Sequence, residues 1–154
     1  MGVAMGTLVW AGFAASVLAA CAFWLLRTAR LTLFSPTTLL GCMVHGDPRL
    51  PLTETTGVVL FMIVGSTLVP MLYAVAMRAA GGFGWGTGSL VGLVHGLLTT
   101  GLLPWVAGSS ACVRQGHLPR PGTLAMGWGR GTPAAVVAGH VVYGAILGAV
   151  AGAA

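Results

Sequence analysis

The chain has 154 residues, of which 56% are hydrophobic and 6% are charged. A water-soluble domain of this length could not bury so much apolar surface, so a soluble globular protein is excluded. The net charge of +5 comes from arginines scattered along the chain, which does not indicate a nucleic-acid partner. Four long uncharged apolar runs instead predict an all-α integral membrane bundle of four transmembrane helices, forming a single domain over residues 1–154.

The four apolar runs give the predicted spans in chain order. A hydrocarbon core of about 30 Å needs roughly 20 apolar residues as helix. The runs predict transmembrane helices at 7–26, 56–77, 86–107 and 133–153. Pro70 interrupts the second of these and predicts a kink there.

The first connection carries the signal for a short additional helix. Ser35 is a favourable N-cap residue, and Pro36 after it suits the first helical position. We expect a helix over 37–44 that lies at the membrane surface through its apolar face. The third connection, 114–132, is rich in glycine, proline and arginine and is expected to be a partly loose loop.

Arginine positions predict the orientation. The first and third connections with their flanks carry six of the seven arginines, and the second connection carries only Arg78. The positive-inside tendency therefore predicts that the first and third connections are cytoplasmic and both termini are outside. Tryptophans are expected at both boundaries, with Trp128 on the cytoplasmic side. The use of arginine without lysine is typical of a GC-rich bacterium, which gives a bacterial inner membrane as the predicted location.

The three cysteines, Cys21, Cys42 and Cys112, show no recognisable pairing pattern. Cys21 lies inside the first apolar run, so a disulfide framework is not expected. The spacing favours isolated small thiols.

Glycine makes up 25 of the 154 residues, more than loops alone require. Two predicted helices carry glycine at every fourth position: Gly88, Gly92 and Gly96 in the third, and Gly144, Gly148 and Gly152 in the fourth. Such stripes allow helix backbones to approach closely in a membrane. Two interpretations remain open: the stripes pack the bundle itself, or one of them receives a partner or a flat cofactor.

His95 and His140 are the only ionisable side chains deep within the predicted helices, at similar depths. A polar side chain inside a membrane needs a partner or a role. Each imidazole could be neutral and hydrogen-bonded to a carbonyl, to a threonine or to the other histidine. Alternatively, one or both could ligate a haem or a chlorophyll-type pigment, with glycines leaving room for the ring. A transition-metal site or a proton relay is the third interpretation.

The sequence contains no recognisable set of catalytic residues. Both carboxylates, Asp47 and Glu54, lie in the first connection, so no predicted span contains an acidic residue. An ion-coupled transporter would lack its usual acceptor, and a catalytic triad would lack its orienting acid. No glycine-rich loop has the lysine of a nucleotide site. We therefore expect a protein that is not an enzyme.

Two apolar motifs carry a resemblance to other proteins. They are the Gly-Leu-Val-His sequence at 92–95, followed by Leu103-Pro104, and the Gly-His-Val-Val-Tyr-Gly sequence at 139–144. The chain resembles a broad group of uncharacterised small bacterial inner-membrane proteins with four helices. The resemblance implies the fold and the membrane location, and no established activity. A histidine frequent in the second helix of that group has no counterpart here.

The predicted function is a non-catalytic accessory or assembly subunit of a larger membrane complex, packed through glycine and alanine stripes. Its partners would be the lipid bilayer and other membrane subunits or further copies of the chain. The alternative is a tetrapyrrole-binding protein that uses His95 and His140 in electron transfer or light harvesting. A small channel formed by oligomerisation is less favoured because the spans lack charge. No cofactor is firmly predicted.

Overall fold

The computed structural model describes residues 4–154, and the regular structure in this range is all helical. The elements are α1 (Met5–Thr28), α2 (Pro36–His45), α3 (Pro51–Ser66), α4 (Leu68–Ala79), α5 (Trp85–Ser109), α6 (Ala111–Arg114), a 3₁₀ helix (Thr123–Trp128) and α7 (Thr132–Ala153). Four stretches are long and apolar enough to cross a membrane, namely α1, α3 with α4, α5 and α7. The all-helical class and the four candidate spans are confirmed.

Three of the four spans begin and end within two residues of the predicted bounds. The second differs, because α3 starts at Pro51 rather than at residue 56. Proline has a backbone φ angle suited to the first helical position, and its missing N–H is not needed there. The helix therefore extends back to the proline, ahead of the threonines that precede residue 56.

The predicted interruption of the second span lies at Thr67, between α3 and α4. Thr67 has φ −119° and ψ −72°, which departs from regular helical geometry. Pro70 has no N–H to donate to the carbonyl of Ser66, so one hydrogen bond of the helix is missing at this point.

Two compact units make up the described chain, and each has a core of its own. Unit 1 comprises residues 4–19, 62–97 and 137–154, and unit 2 comprises residues 20–61 and 98–136. The core of unit 1 contains Tyr73, Met77, Tyr143 and Leu147, with Ala15 of α1 packed among them.

The core of unit 2 is built on aromatic side chains. Phe34 stacks on Trp128 with ring centroids 5.2 Å apart and contacts Phe23 edge-on at 5.3 Å. The Trp128 indole N–H donates to the Pro119 carbonyl at 2.8 Å. Trp128 is 3% exposed, so its indole belongs to the core of unit 2. Stacking on Phe34 and an acceptor for the indole N–H allow this large ring to be buried.

Part of the third connection, which the composition predicted to be partly loose, is hydrogen-bonded to the first connection. The hydroxyls of Thr32 and Thr132 are 2.6 Å apart. The backbone N–H of Leu33 donates to the Trp128 carbonyl at 2.6 Å. These bonds satisfy buried polar groups and hold the two connections together.

The start of α2 confirms the N-cap predicted at Ser35. The backbone N–H of Thr38 donates to the Ser35 hydroxyl at 3.2 Å, and Pro36 occupies the first turn. The helix ends at His45 and is capped by Gly46, whose φ of 73° is the left-handed conformation that glycine adopts without steric cost. Of its apolar side chains, Leu39 joins the core of unit 2, while Met43 and Val44 are exposed.

Two glycines bring the backbones of α2 and α3 into contact. A Cβ atom added at Gly41 would lie 1.9 Å from the carbonyl oxygen of Thr53, and one added at Gly57 would lie 1.9 Å from that of Thr37. Next to this contact, Glu54 accepts hydrogen bonds from the hydroxyls of Thr37 and Thr38.

We expect Gly41→Ala to destabilise the protein by about 1–3 kcal/mol, because the added methyl group overlaps a backbone oxygen that cannot move freely. Thermal unfolding in detergent, followed by tryptophan fluorescence, measures the effect. Gly108→Ala is the matched control in unit 2, since a Cβ there meets nothing within 4 Å. Equal unfolding temperatures for the two variants would contradict the close α2–α3 contact.

A disulfide joins Cys42 of α2 to Cys112 of α6, with the Cα atoms 5.8 Å apart. The prediction of three isolated thiols is therefore wrong for this pair, and Cys21 is an exposed free cysteine. The two paired cysteines are 70 residues apart in sequence, so only the packing of α2 against α6 brings their sulfur atoms within bonding reach.

Candidate functional site

The predicted site residues His95 and His140 lie together in unit 1. The edge of one imidazole meets the face of the other, with ring centroids 4.5 Å apart. His95 is contributed by α5 and His140 by α7. The similar depths inferred from the sequence are thus matched by direct contact.

Tyr73 of α4 is the hydrogen-bond partner of His95. Its hydroxyl lies 3.0 Å from Nδ1 of the imidazole, and the two ring centroids are 5.5 Å apart. Tyr143, one helical turn after His140, contacts the Tyr73 ring edge-on at 5.4 Å. The Tyr143 hydroxyl donates to the carbonyl of Gly65. We call the four rings of Tyr73, His95, His140 and Tyr143 the histidine–tyrosine cluster.

Glycines of α5 and α7 hold the cluster together by bringing the two backbones into contact. A Cβ added at Gly88 would lie 2.0 Å from the Gly144 carbonyl oxygen, and one added at Gly92 would lie 2.2 Å from that of His140. A Cβ at Gly96 would lie 3.1 Å from the His140 Cβ. The stripe on α5 therefore lies directly on α7.

The stripe on α7 makes the reciprocal contacts. A Cβ at Gly148 would lie 2.1 Å from the Gly84 carbonyl oxygen, and one at Gly152 would lie 3.3 Å from that of Phe83. At Gly144, an added Cβ would also lie 2.9 Å from an edge carbon of the Tyr73 ring. Gly144 thus makes room both for the neighbouring helix and for the tyrosine.

This packing limits what the two histidines can hold. A flat tetrapyrrole placed between α5 and α7 would have to separate backbones that are already in van der Waals contact. Nδ1 of His95 is engaged by Tyr73, so a metal or a haem iron would have to approach through the other ring nitrogen. Within residues 4–154, no group of three or more histidine, cysteine, aspartate or glutamate side chains is arranged to hold a metal ion.

The tyrosines are the cluster members that sequence reasoning missed. The chain has two tyrosines, and both belong to the cluster. A signal was present, because a phenol inside an apolar span needs a hydrogen-bond partner. The sequence could not identify that partner, since Tyr73 and His95 belong to different helices.

We expect Tyr73→Phe to change the protonation pattern of the His95 imidazole and to cost about 1 kcal/mol of stability, because Nδ1 loses its phenol partner. Nitrogen chemical shifts of labelled histidine, recorded by NMR, report which ring nitrogen carries the proton. Tyr143→Phe is the matched control, since its hydroxyl donates to a backbone carbonyl instead. Unchanged His95 shifts in Tyr73→Phe would contradict the hydrogen bond.

A second polar group lies in unit 2, on the first and third connections. The Arg49 guanidinium donates to both oxygens of Asp47 at 2.8 and 3.0 Å, and His117 Nδ1 is 3.9 Å from the same carboxylate. Hydrogen bonding from Arg49 lowers the pKa of Asp47 well below its usual range, and the carboxylate raises the pKa of Arg49. The Arg49 side chain is 75% exposed, and exposed pairs of this kind contribute little to stability. We therefore do not assign a functional site here.

Comparisons with protein-family models, with curated proteins and with solved structures found no match.

Proposed function

We propose that this chain is an integral protein of a bacterial inner membrane. In each of the four spans, only 22–33% of the residues in the most apolar 18-residue stretch are buried within the chain. Four tryptophans near the span ends, at positions 10, 24, 85 and 105, are 63–79% exposed. Exposed aliphatic surface of this extent needs lipid or protein around it, and tryptophan is favoured at membrane boundaries.

We further propose that α2 lies at the membrane surface. Met43 and Val44 are exposed on this helix, and Leu50 and Leu52 are exposed just after it. A helix with Leu39 in the core and with Met43 and Val44 exposed can rest on the lipid boundary without crossing it.

The proposed role is that of a non-catalytic accessory or assembly subunit. The observation that carries this proposal is that the tyrosines of the histidine–tyrosine cluster are buried, whereas many apolar side chains of the spans are exposed. Tyr73 is 2% exposed and Tyr143 is 8% exposed, so the tyrosine part of the cluster is closed off. The outer faces of the spans are the surface with which a partner would interact.

The glycine stripes predicted for assembly are used within the chain, so a partner would use another face of α5. Gly101 and Gly108 lie one turn on either side of the exposed Trp105, and a Cβ added at either glycine meets nothing within 4 Å. Small residues beside an exposed aromatic ring allow a second helix to approach closely.

Capture of the tagged protein in mild detergent, followed by mass spectrometry, tests this role. We expect a stoichiometric membrane partner, or further copies of the chain, to be recovered with the wild type. Gly101→Leu should reduce the recovery while the unfolding temperature stays unchanged. A well-folded protein that is monomeric and lacks partners would contradict the accessory role.

The absorption spectrum of the same eluate tests the tetrapyrrole alternative. A haem or chlorophyll-type band that disappears in His95→Ala or His140→Ala would overturn the accessory role and assign the cluster as a pigment site. A colourless preparation with partners agrees with the proposal.

A further inference from the structure

The disulfide between Cys42 and Cys112 bears on the orientation of the chain in the membrane. It joins the first connection to the third, and both cysteines are fully buried. With four spans, these two connections are on the same side of a membrane, so one bond can join them. This inference rests on the membrane insertion proposed above.

The compartment decides whether such a bond forms. Thiols are kept reduced in the cytosol, whereas disulfides form and persist outside it. Formation from two thiols releases two electrons and two protons, so it needs an oxidant. A disulfide-bearing oxidant of the extracytoplasmic space accepts these electrons. One cysteine thiolate of the chain attacks the disulfide of the oxidant, the second cysteine resolves the mixed disulfide, and the oxidant leaves as a dithiol.

We propose that the first and third connections lie on the extracytoplasmic face. The second connection, at residues 80–84, then lies in the cytoplasm. The N-terminal end of α1 and the C-terminal end of α7 lie on the same side. The disulfide fastens α2 to α6 on the outer face, where the aromatic core of unit 2 and the Thr32–Thr132 hydrogen bond also join the two connections.

This orientation is the reverse of the one that the arginine count predicts. The positive-inside tendency is a bias over many proteins, and one of the six arginines, Arg49, is paired with Asp47 at 2.8 Å. A protein disulfide, in contrast, reports the chemistry of the compartment in which it formed. Because the two criteria give opposite orientations, a single experiment decides between them.

Site-directed labelling in intact bacterial cells is the decisive test. In a Cys21→Ser background that keeps the disulfide, Thr123→Cys places a thiol on the third connection and Ala80→Cys places one on the second. Both positions are exposed. We expect a membrane-impermeant maleimide to label Thr123→Cys in intact cells, and Ala80→Cys only after the membrane is permeabilised. The reverse pattern would overturn the proposal.

Counting the free thiols of the wild-type chain is a second test, and it does not depend on whether a variant folds. Cells are quenched in acid, and thiols are counted in denaturant with a mass-tagged maleimide. We expect one tag per chain before reduction, on Cys21, and three after it. Three tags before reduction would overturn the proposal.

Carbonate extraction of membranes from the same cells distinguishes a failure of the proposed membrane insertion from a failure of the proposed orientation. Protein recovered in the soluble fraction would reject membrane insertion, and with it the proposed function. Protein retained in the membrane with a hidden Thr123→Cys thiol would reject the orientation alone.

Discussion

Replacing Gly92 with leucine is expected to separate α5 from α7 and to lower the free energy of unfolding by about 3 kcal/mol, at the upper end of overpacking effects. The Cβ alone would lie 2.2 Å from the His140 carbonyl oxygen and 2.9 Å from the Val141 Cα. Both are backbone atoms within a helix, so neither can move aside without displacing the helix. The contact between the His95 and His140 rings should be lost with the same displacement.

Titration with a denaturing detergent, followed by tryptophan fluorescence, measures the Gly92→Leu effect. Gly101→Leu is the matched control, because it places the same side chain on the same helix where a Cβ meets nothing within 4 Å. We expect the control to unfold within about 0.5 kcal/mol of the wild type, as substitutions away from packing features usually do. Similar losses for both variants would contradict the specific contact of Gly92 with α7.

Removal of the disulfide is the second change with a large expected effect. The double variant Cys42→Ser, Cys112→Ser opens a covalent loop that spans 70 residues of sequence. We expect a loss of about 2–4 kcal/mol, because the bond restricts the unfolded chain and the free hydroxyls would be buried in its place. The structural consequence should be concentrated in unit 2, where α2 and α6 meet.

Unfolding of the wild type with and without a reductant checks this prediction on the native sequence. The reductant should lower the stability of the wild type to near that of the double variant, and should leave the double variant unchanged. Cys21→Ser serves as the control, since Cys21 is exposed and unpaired. A wild type that is insensitive to complete reduction would contradict a stabilising role for the bond.

Local features of the fold could be predicted from the sequence. The four spans follow from apolar runs of about 20 residues, because the thickness of a bilayer fixes the length of helix it needs. The Ser35 cap and the interruption near Pro70 depend on neighbouring residues in the chain. A hydroxyl beside a free N–H, or a proline without one, acts the same way wherever the helix is placed.

The candidate site could be predicted only in part. His95 and His140 stand out because imidazoles are rare in apolar helices, and the glycine stripes indicated close helix contacts. Their mutual contact, and the hydrogen bond from Tyr73, needed the structure. The three residues lie on three separate helices, and no spacing in the sequence specifies how those helices are rotated.

The sequence by itself therefore determined the helical class, the number of candidate spans and the breaks within them. Only the tertiary structure decided which residues meet: Cys42 with Cys112, Trp128 with Phe34, and Tyr73 with His95. The physical reason is that hydropathy and capping act over a few turns of one helix. Pairings between residues 22 to 94 positions apart depend instead on which helix faces are brought together by the packing of the whole chain.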